Sequence, residues 1–97
     1  MKVIFTKHAE NDLEQIADFI AKDNPIRALT FVREIEKKSL SIGDNPKAFP
    51  VVKDLIDMGI RRRVYQNYSI FFYIGLEFVF IARILNSSMD YSALFES

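Results

Sequence analysis

The apolar residues of this chain change their spacing halfway along it, and this change constrains the fold more than any other feature. From Ala9 to Ile20, apolar side chains recur at steps of three and four residues, which is typical of an amphipathic helix. Between Ile60 and Leu85, β-branched and aromatic residues dominate instead. A chain that places its helices before its strands is predicted to adopt an α+β fold.

Capping residues and turn signals divide the chain into elements. Thr6 can cap the first helix, and Asn24 followed by Pro25 is a start signal for the second. The link between the two helices is very short, so they should form an antiparallel hairpin. A strand over 2–5 should precede them, and strands over 60–65, 68–74 and 78–85 should follow a loop over 44–59.

We therefore predict one domain over residues 1–97: a short N-terminal strand and an antiparallel helix hairpin packed on one face of an antiparallel sheet with a three-stranded C-terminal meander. The last two strands are apolar at nearly every position, which predicts that both of their faces are covered. Residues 52–58 could form a short turn of helix, and residues 90–95 a short final helix or strand.

Composition excludes several classes of protein. The chain has 13 basic and 13 acidic residues, and this neutrality argues against a general nucleic-acid binder, because each phosphate contact needs a Lys or Arg. Without cysteine and with one histidine, no metal site is expected, and no motif indicates a cofactor. Neither a signal peptide nor a membrane-spanning segment is recognisable, so we predict a cytoplasmic protein without a membrane partner.

Three consecutive arginines at 61–63 are the most conspicuous candidates for a binding site. Side chains alternate along a strand, so Arg61, Arg63 and Tyr65 should share one face. If the apolar Ile60 and Val64 point toward the helices, this trio lines the helix-free face, with the middle arginine near the rim of the sheet. Guanidinium groups bind phosphate or carboxylate bidentately, so the pair is a candidate anion site.

Plainer explanations exist for these charges. The arginines could protect an edge strand, or form ion pairs with Asp54 and Asp57. Arg83, in an apolar strand, needs a partner if it is buried, and Asp90 is the natural candidate for a structural salt bridge.

Two aromatic residues of the helix hairpin lie beside its apolar stripes. Phe19 and Phe31 are therefore candidates for an exposed apolar patch, with Arg27 and Arg33 among the charges near it. Both rings could instead simply widen the core.

Short motifs along nearly the whole chain, taken in order, resemble a family of bacterial toxins. These motifs are the first helix over 9–21, Asn24-Pro25 with Ala28 and Phe31-Val32, Gly59-Ile60-Arg61-Arg62, residues 67–73, residues 81–85, and Met89-Asp90. They are similar to the ParE-like branch of the RelE/ParE superfamily. The resemblance implies the toxin of a type II toxin–antitoxin pair, of the plasmid-stabilisation kind, neutralised by a cognate ParD-like or RelB-like antitoxin.

The resemblance also implies one of two targets. RelE-like members cleave mRNA on the ribosome with basic residues on the helix-free sheet face, whereas ParE-like members poison DNA gyrase. Here Asn86 and Ser88 stand where many relatives carry a His and then an Arg, and Ser69 stands where nucleases place an Arg. We therefore favour a non-enzymatic gyrase poison. A ribosome-dependent endoribonuclease, or a decayed toxin that only binds its antitoxin, stays as the alternative.

These interpretations give two sets of site residues. The candidates for contact with the target or an anion are Arg61, Arg63, Tyr65, Arg83, Asn86 and Ser88. The candidates for contact with the antitoxin are Phe19, Phe31, Arg27 and Arg33. No residue is assigned a catalytic role.

Overall fold

The computed structural model describes residues 1–95, and its elements follow the predicted order. The strands and helices are β1 (Lys2–Phe5), α1 (Lys7–Ala21), α2 (Pro25–Ser41), β2 (Arg61–Tyr65), β3 (Tyr68–Ile74) and β4 (Phe78–Asn86). Short 3₁₀ helices occupy Ile42–Asp44, Pro46–Ala48, Lys53–Met58 and Ser92–Leu94. The α+β prediction is confirmed, as are the short helical turns before β2 and after β4.

The four strands form one sheet in the order β1-β4-β3-β2. The meander of β2, β3 and β4 is antiparallel, as predicted. β1, however, runs parallel to β4, so the sheet is mixed rather than wholly antiparallel. The helix hairpin provides the connection from β1 back to the sheet, and it leaves β1 and β2 at the two edges.

Both helix starts follow the capping signals in the sequence. The Thr6 hydroxyl accepts the N–H of Ala9 at 3.2 Å, and it also donates to two carbonyl oxygens of β4 at 2.9 and 3.0 Å. The side chain of Asn24 accepts the N–H of Arg27 at 3.0 Å, with Pro25 in the first turn. Thr6 therefore fixes the start of α1 against the sheet, and Asn24 sets the short link of the hairpin.

The inward face of α2 differs from the stripe that the sequence indicated. Leu29 is 56% exposed, whereas Phe31 is only 5% exposed and packs on Tyr65 and Tyr68 with ring centroids 6.0 and 5.5 Å away. The buried positions Ala28, Phe31, Ile35 and Ser39 are themselves spaced as one helical face. The sequence of α2 contains two overlapping apolar stripes, one that includes Leu29 and one that includes Phe31. In the structure the stripe with the larger, aromatic side chain of Phe31 faces the core. The prediction that Phe31 belongs to an exposed patch was wrong.

The face of the sheet opposite the helices, which we call the helix-free face, is covered by a second apolar cluster. Phe71 is its centre, with ring centroids 4.8 Å from Tyr91 and 5.5 Å from Phe95. The loop before β2 and the end of β4 complete it with Val52, Leu55, Ile60 and Leu85. Both faces of β3 and β4 are thus largely covered, as their apolar sequences predicted.

Among residues 1–95, one buried hydroxyl of the helix-side core has no hydrogen-bond partner. Ser39 is 0% exposed, and its Oγ forms no hydrogen bond. We expect Ser39→Ala to raise the free energy of unfolding by about 1 kcal/mol, because a buried unsatisfied polar group is destabilising. Urea denaturation of both proteins measures this. Ser41→Ala is the control and should lose stability, because Ser41 bonds both Lys38 and Arg63. A less stable Ser39→Ala protein would contradict the expectation.

Candidate functional site

The predicted orientation of β2 was wrong. Arg61, Arg63 and Tyr65 are paired with Phe72, Ile70 and Tyr68, three residues of β3 that point toward the helices. Directly paired residues in antiparallel strands share a face, so the trio also points toward the helices. Ile60 packs in the helix-free cluster instead, and Val64 is 56% exposed. The error arose because the apolar residues of this edge strand pack against a second cluster, not against the helices.

Two of the three arginines, Arg61 and Arg63, donate hydrogen bonds to backbone carbonyl oxygens. Arg63 donates to the carbonyl oxygen of Lys38 at 3.0 Å and to Ser41 Oγ at 2.8 Å, which places its charge at the C-terminal end of α2. Arg61 donates to the carbonyl oxygen of Phe49 at 2.7 Å. Within residues 1–95, neither the predicted anion site nor ion pairs with the acidic residues of the loop are formed.

Tyr65 belongs to a charged cluster at the other end of this strand. Arg27 donates to Glu34 at 2.6 Å, and the Tyr65 hydroxyl donates to the same carboxylate. The hydrogen bond from Arg27, with that from Tyr65, holds the pKa of Glu34 below its ordinary value. The hydrogen bond to Glu34 in turn raises the pKa of Tyr65, because it stabilises the protonated phenol. The Arg27 guanidinium also lies 5.0 Å above the Phe31 ring.

We expect the pKa of Tyr65 to fall in Glu34→Gln, because its phenolate would no longer form beside a carboxylate. NMR titration of the tyrosine ring signals measures this directly. Tyr68 is the internal control, since burial rather than Glu34 raises its pKa. An unchanged Tyr65 titration, or an equal fall for Tyr68, would contradict the assignment.

Arg83 pairs with Asp12, not with Asp90 as predicted. Its guanidinium donates to both carboxylate oxygens, at 2.8 and 2.9 Å, and Asp12 also accepts the N–H of Ile84 at 2.9 Å. β1 ends at Phe5, opposite Ile81, so beyond that point β4 is paired with β3 but has no strand neighbour on its other side. The N–H of Ile84 on this open side therefore needs another acceptor. Asp12 supplies it from α1. The hydrogen bonds that Arg83 donates to Asp12 raise the pKa of the guanidinium.

Asn86 and Ser88 form the turn that follows β4. The Asn86 side chain accepts both the N–H of Ser88, at 2.9 Å, and its hydroxyl, at 2.8 Å. Both residues are exposed, and Asn86 lies at the edge of a shallow groove beside Phe19. The turn carries neither a base nor a cation at these two positions.

The groove surrounds Phe19, which is 68% exposed near the end of α1. On one side the ring borders a cleft lined by Tyr68, Asn86 and Met89, and on the other side a second cleft reaches Arg27 and the β2–β3 turn. We call this surface the Phe19 groove. The prediction that Phe19 is exposed is therefore confirmed, whereas Arg33 is exposed on α2 and lines neither cleft.

Arg62 is the one residue of the arginine run that points to the helix-free face. Its Nε donates to Ser69 Oγ at 2.8 Å, and its guanidinium carbon lies 5.9 Å from the Phe71 ring centroid and 6.0 Å from that of Tyr91. Ser69 Oγ lies 2.9 Å from Ser87 Oγ. From the sequence we predicted that Arg62 lies near the rim of the sheet. Strand alternation puts Arg62 on the same face as Ile60, and the structure shows that Ile60 packs in the helix-free cluster.

The predicted target residues thus lie in separate places: Arg61 against the loop before β2, Arg63 and Tyr65 against α2, Arg83 on Asp12, and Asn86 with Ser88 in the turn after β4. Sequence reasoning missed the roles of Asp12, Arg62 and Glu34. Two of them had a local signal: Glu34 lies seven residues after Arg27 on the same helical face, and strand alternation separates Arg62 from its two neighbours.

In residues 1–95, no three His, Asp or Glu side chains come together in a way that could hold a metal ion. Over the same residues, no helix combines the length and the apolar composition that crossing a bilayer demands.

The fold is similar to that of a solved structure from a toxin–antitoxin system. A structure described as the chromosomal ParDE TA system from P. aeruginosa matches with a TM-score of 0.74 and 22% sequence identity, covering 89% of this chain and 95% of that one. At this identity the likeness establishes the fold. A search of curated proteins found no match.

Family membership rests on the sequence itself. The family model for the ParE toxin of type II toxin–antitoxin systems, parDE, matches residues 3–91. The chain belongs to this family, and it is a toxin of the type II class.

Proposed function

We propose that this ParE-family toxin arrests growth by poisoning DNA gyrase, without catalysing a reaction and without a cofactor. The observation that carries the proposal is the chemistry of the helix-free face, where related nucleases keep their basic residues. Within residues 1–95, this face presents Arg62, Ser69 and Ser87 but no histidine. His8 is exposed on α1, in the helix layer. Metal-free cleavage of RNA needs a base near pH 7, and a neutral Tyr is a poor one.

The test is a supercoiling assay with purified gyrase. We expect the toxin to abolish supercoiling or to accumulate cleaved DNA, and preincubation with the antitoxin to restore activity. Unchanged supercoiling at a large molar excess of the toxin would refute a gyrase target. Since gyrase is a cytoplasmic enzyme, the proposal also places the toxin in the cytoplasm.

A ribosome-dependent endoribonuclease is the second candidate. The observation that favours it is the chain of Arg62, Ser69 and Ser87 on the helix-free face. Toeprinting of translating ribosomes decides between the two. Cuts in mRNA that disappear in Arg62→Met but persist in Arg61→Met would support cleavage. A decayed toxin would leave growth normal when its expression is induced.

We propose further that the cognate antitoxin, ParD-like or RelB-like, docks an amphipathic segment in the Phe19 groove. Type II membership supports an antitoxin partner. An exposed aromatic ring between two clefts suits an apolar anchor residue of such a segment. Arg27 also lines the groove, although its guanidinium forms a salt bridge with Glu34. Arg33 would act only at the periphery, and Phe31 supports the groove from beneath.

A further inference from the structure

The structure contains a guanidinium whose position is fixed but whose charge has no counterion in residues 1–95. Arg62 is held by the rings of Phe71 and Tyr91 and by one hydrogen bond to Ser69, which is 1% exposed. Among the described residues, no carboxylate lies within 4.0 Å of Arg62, and its two terminal nitrogens have no acceptor. The neighbouring arginines, by contrast, both donate to backbone carbonyls.

A second hydroxyl is linked to this guanidinium through Ser69. Ser69 Oγ accepts the Nε–H of Arg62 and shares a second hydrogen bond with Ser87 Oγ, 2.9 Å away, in which either hydroxyl can donate. In the arrangement in which Ser69 donates, the half-buried Ser87 hydroxyl keeps its proton for a bound group. The adjacent rings of Phe71 and Tyr91 lie beside the guanidinium, and its Nε–H is bonded to Ser69. These contacts limit its rotation, so less conformational entropy is lost when an anion binds.

We propose that Arg62 and Ser87 form a site for a single carboxylate, an Asp or Glu side chain of a protein partner. A carboxylate matches the two terminal N–H groups of a guanidinium bidentately. The site lies on the helix-free face, apart from the Phe19 groove, and the assignment does not depend on the identity of the toxin's target.

The charges around the site favour a carboxylate on a protein over a nucleic-acid strand. A strand needs a cation at successive phosphates, whereas Arg61 and Arg63 point to the other face. Two exposed acidic residues also adjoin the residues that build this face: Asp54 precedes Leu55, and Asp90 precedes Tyr91. They would repel a polyanion, but they tolerate one carboxylate paired with Arg62.

The experiment is an NMR titration of the full chain that follows the Nε–H of Arg62 and the amide N–H of Ser87. The probes are the peptide acetyl-Gly-Glu-Gly-amide, inorganic phosphate and a uridine hexanucleotide. We expect the peptide to shift both signals saturably, and to bind several-fold more tightly than phosphate. Arg62→Met should abolish the shift at Ser87, and Arg62→Lys should weaken binding several-fold, because an ammonium group cannot bind bidentately.

Arg61→Met is the matched control and should bind the peptide as the wild type does, since Arg61 points away from the site. Thermal unfolding of each variant shows that the fold is intact. A hexanucleotide that binds more tightly than the peptide at the same signals would assign the site to RNA and overturn the proposal. Equal, unsaturated shifts with all three probes would show an adventitious ion only, and would also overturn it.

Discussion

Asp12→Ala should destabilise this protein more than any other substitution of a charged residue considered above. Asp12 is 6% exposed and accepts three hydrogen bonds, two from Arg83 and one from the Ile84 N–H. Its removal leaves a largely buried guanidinium and a strand N–H without partners. Breaking a buried pair in this way typically costs about 3–5 kcal/mol. For a domain of this size, at roughly 4 °C or more per kcal/mol, the melting temperature should fall by at least about 12 °C.

Calorimetry or urea denaturation measures the loss, and two variants make the comparison specific. Asp12→Asn keeps the shape and part of the hydrogen bonding, so its loss should be smaller. Asp90→Ala tests the partner that the sequence suggested, and it should change stability by no more than about 0.5 kcal/mol, because Asp90 is exposed and, within residues 1–95, its side chain bonds only the Ser92 N–H. If Asp90→Ala were as unstable as Asp12→Ala, the assigned pair would be wrong.

Phe19→Asp should weaken antitoxin binding at least about 30-fold, since a central aromatic anchor commonly contributes about 2 kcal/mol or more. The ring is 68% exposed, so the substitution leaves the core intact. Ile56→Asp is the matched control: Ile56 is 65% exposed, but it lies in the loop before β2. Its antitoxin affinity should stay within a few-fold of wild type. Calorimetric titration of each variant with the antitoxin gives both values.

Other results would indicate that the antitoxin docks on a different surface. A loss of affinity in Leu29→Asp, with Phe19→Asp unaffected, would point to the outward face of α2. No loss in either variant would favour strand addition beside β2, an edge of the sheet. Phe31→Ser, by contrast, cannot report on binding. Phe31 is buried, so its truncation should cost roughly 3–5 kcal/mol of folding stability, as aromatic-to-Ala changes in cores do.

The sequence alone determined the elements and their order, because the signals for them are local. Thr6 and Asn24 cap helices whose N–H groups lie three residues away. The turn residues between β2, β3 and β4 fix a meander at hairpin length. The motifs that resemble the ParE-like toxins also follow one another along the chain, so the family could be identified without coordinates.

The tertiary structure alone decided which side of each element faces inward, and this determined the candidate site. Period-two alternation groups Arg61, Arg63 and Tyr65 on one face, but it cannot say which face meets the helices. That choice depended on the loop before β2 and the segment after β4, which bury Ile60 and Phe71 in a second cluster.

Partners of charged groups are equally hidden from local patterns. Arg83 and Asp12 are 71 residues apart in sequence. Asp90, only seven residues after Arg83, was the nearer choice along the chain. β1 ends before β4 does, so the N–H of Ile84 needs an acceptor from α1, and the same carboxylate then neutralises Arg83. Only the packing of the helix hairpin on the sheet brings these groups together, and it also leaves Arg62 without a counterion among the described residues.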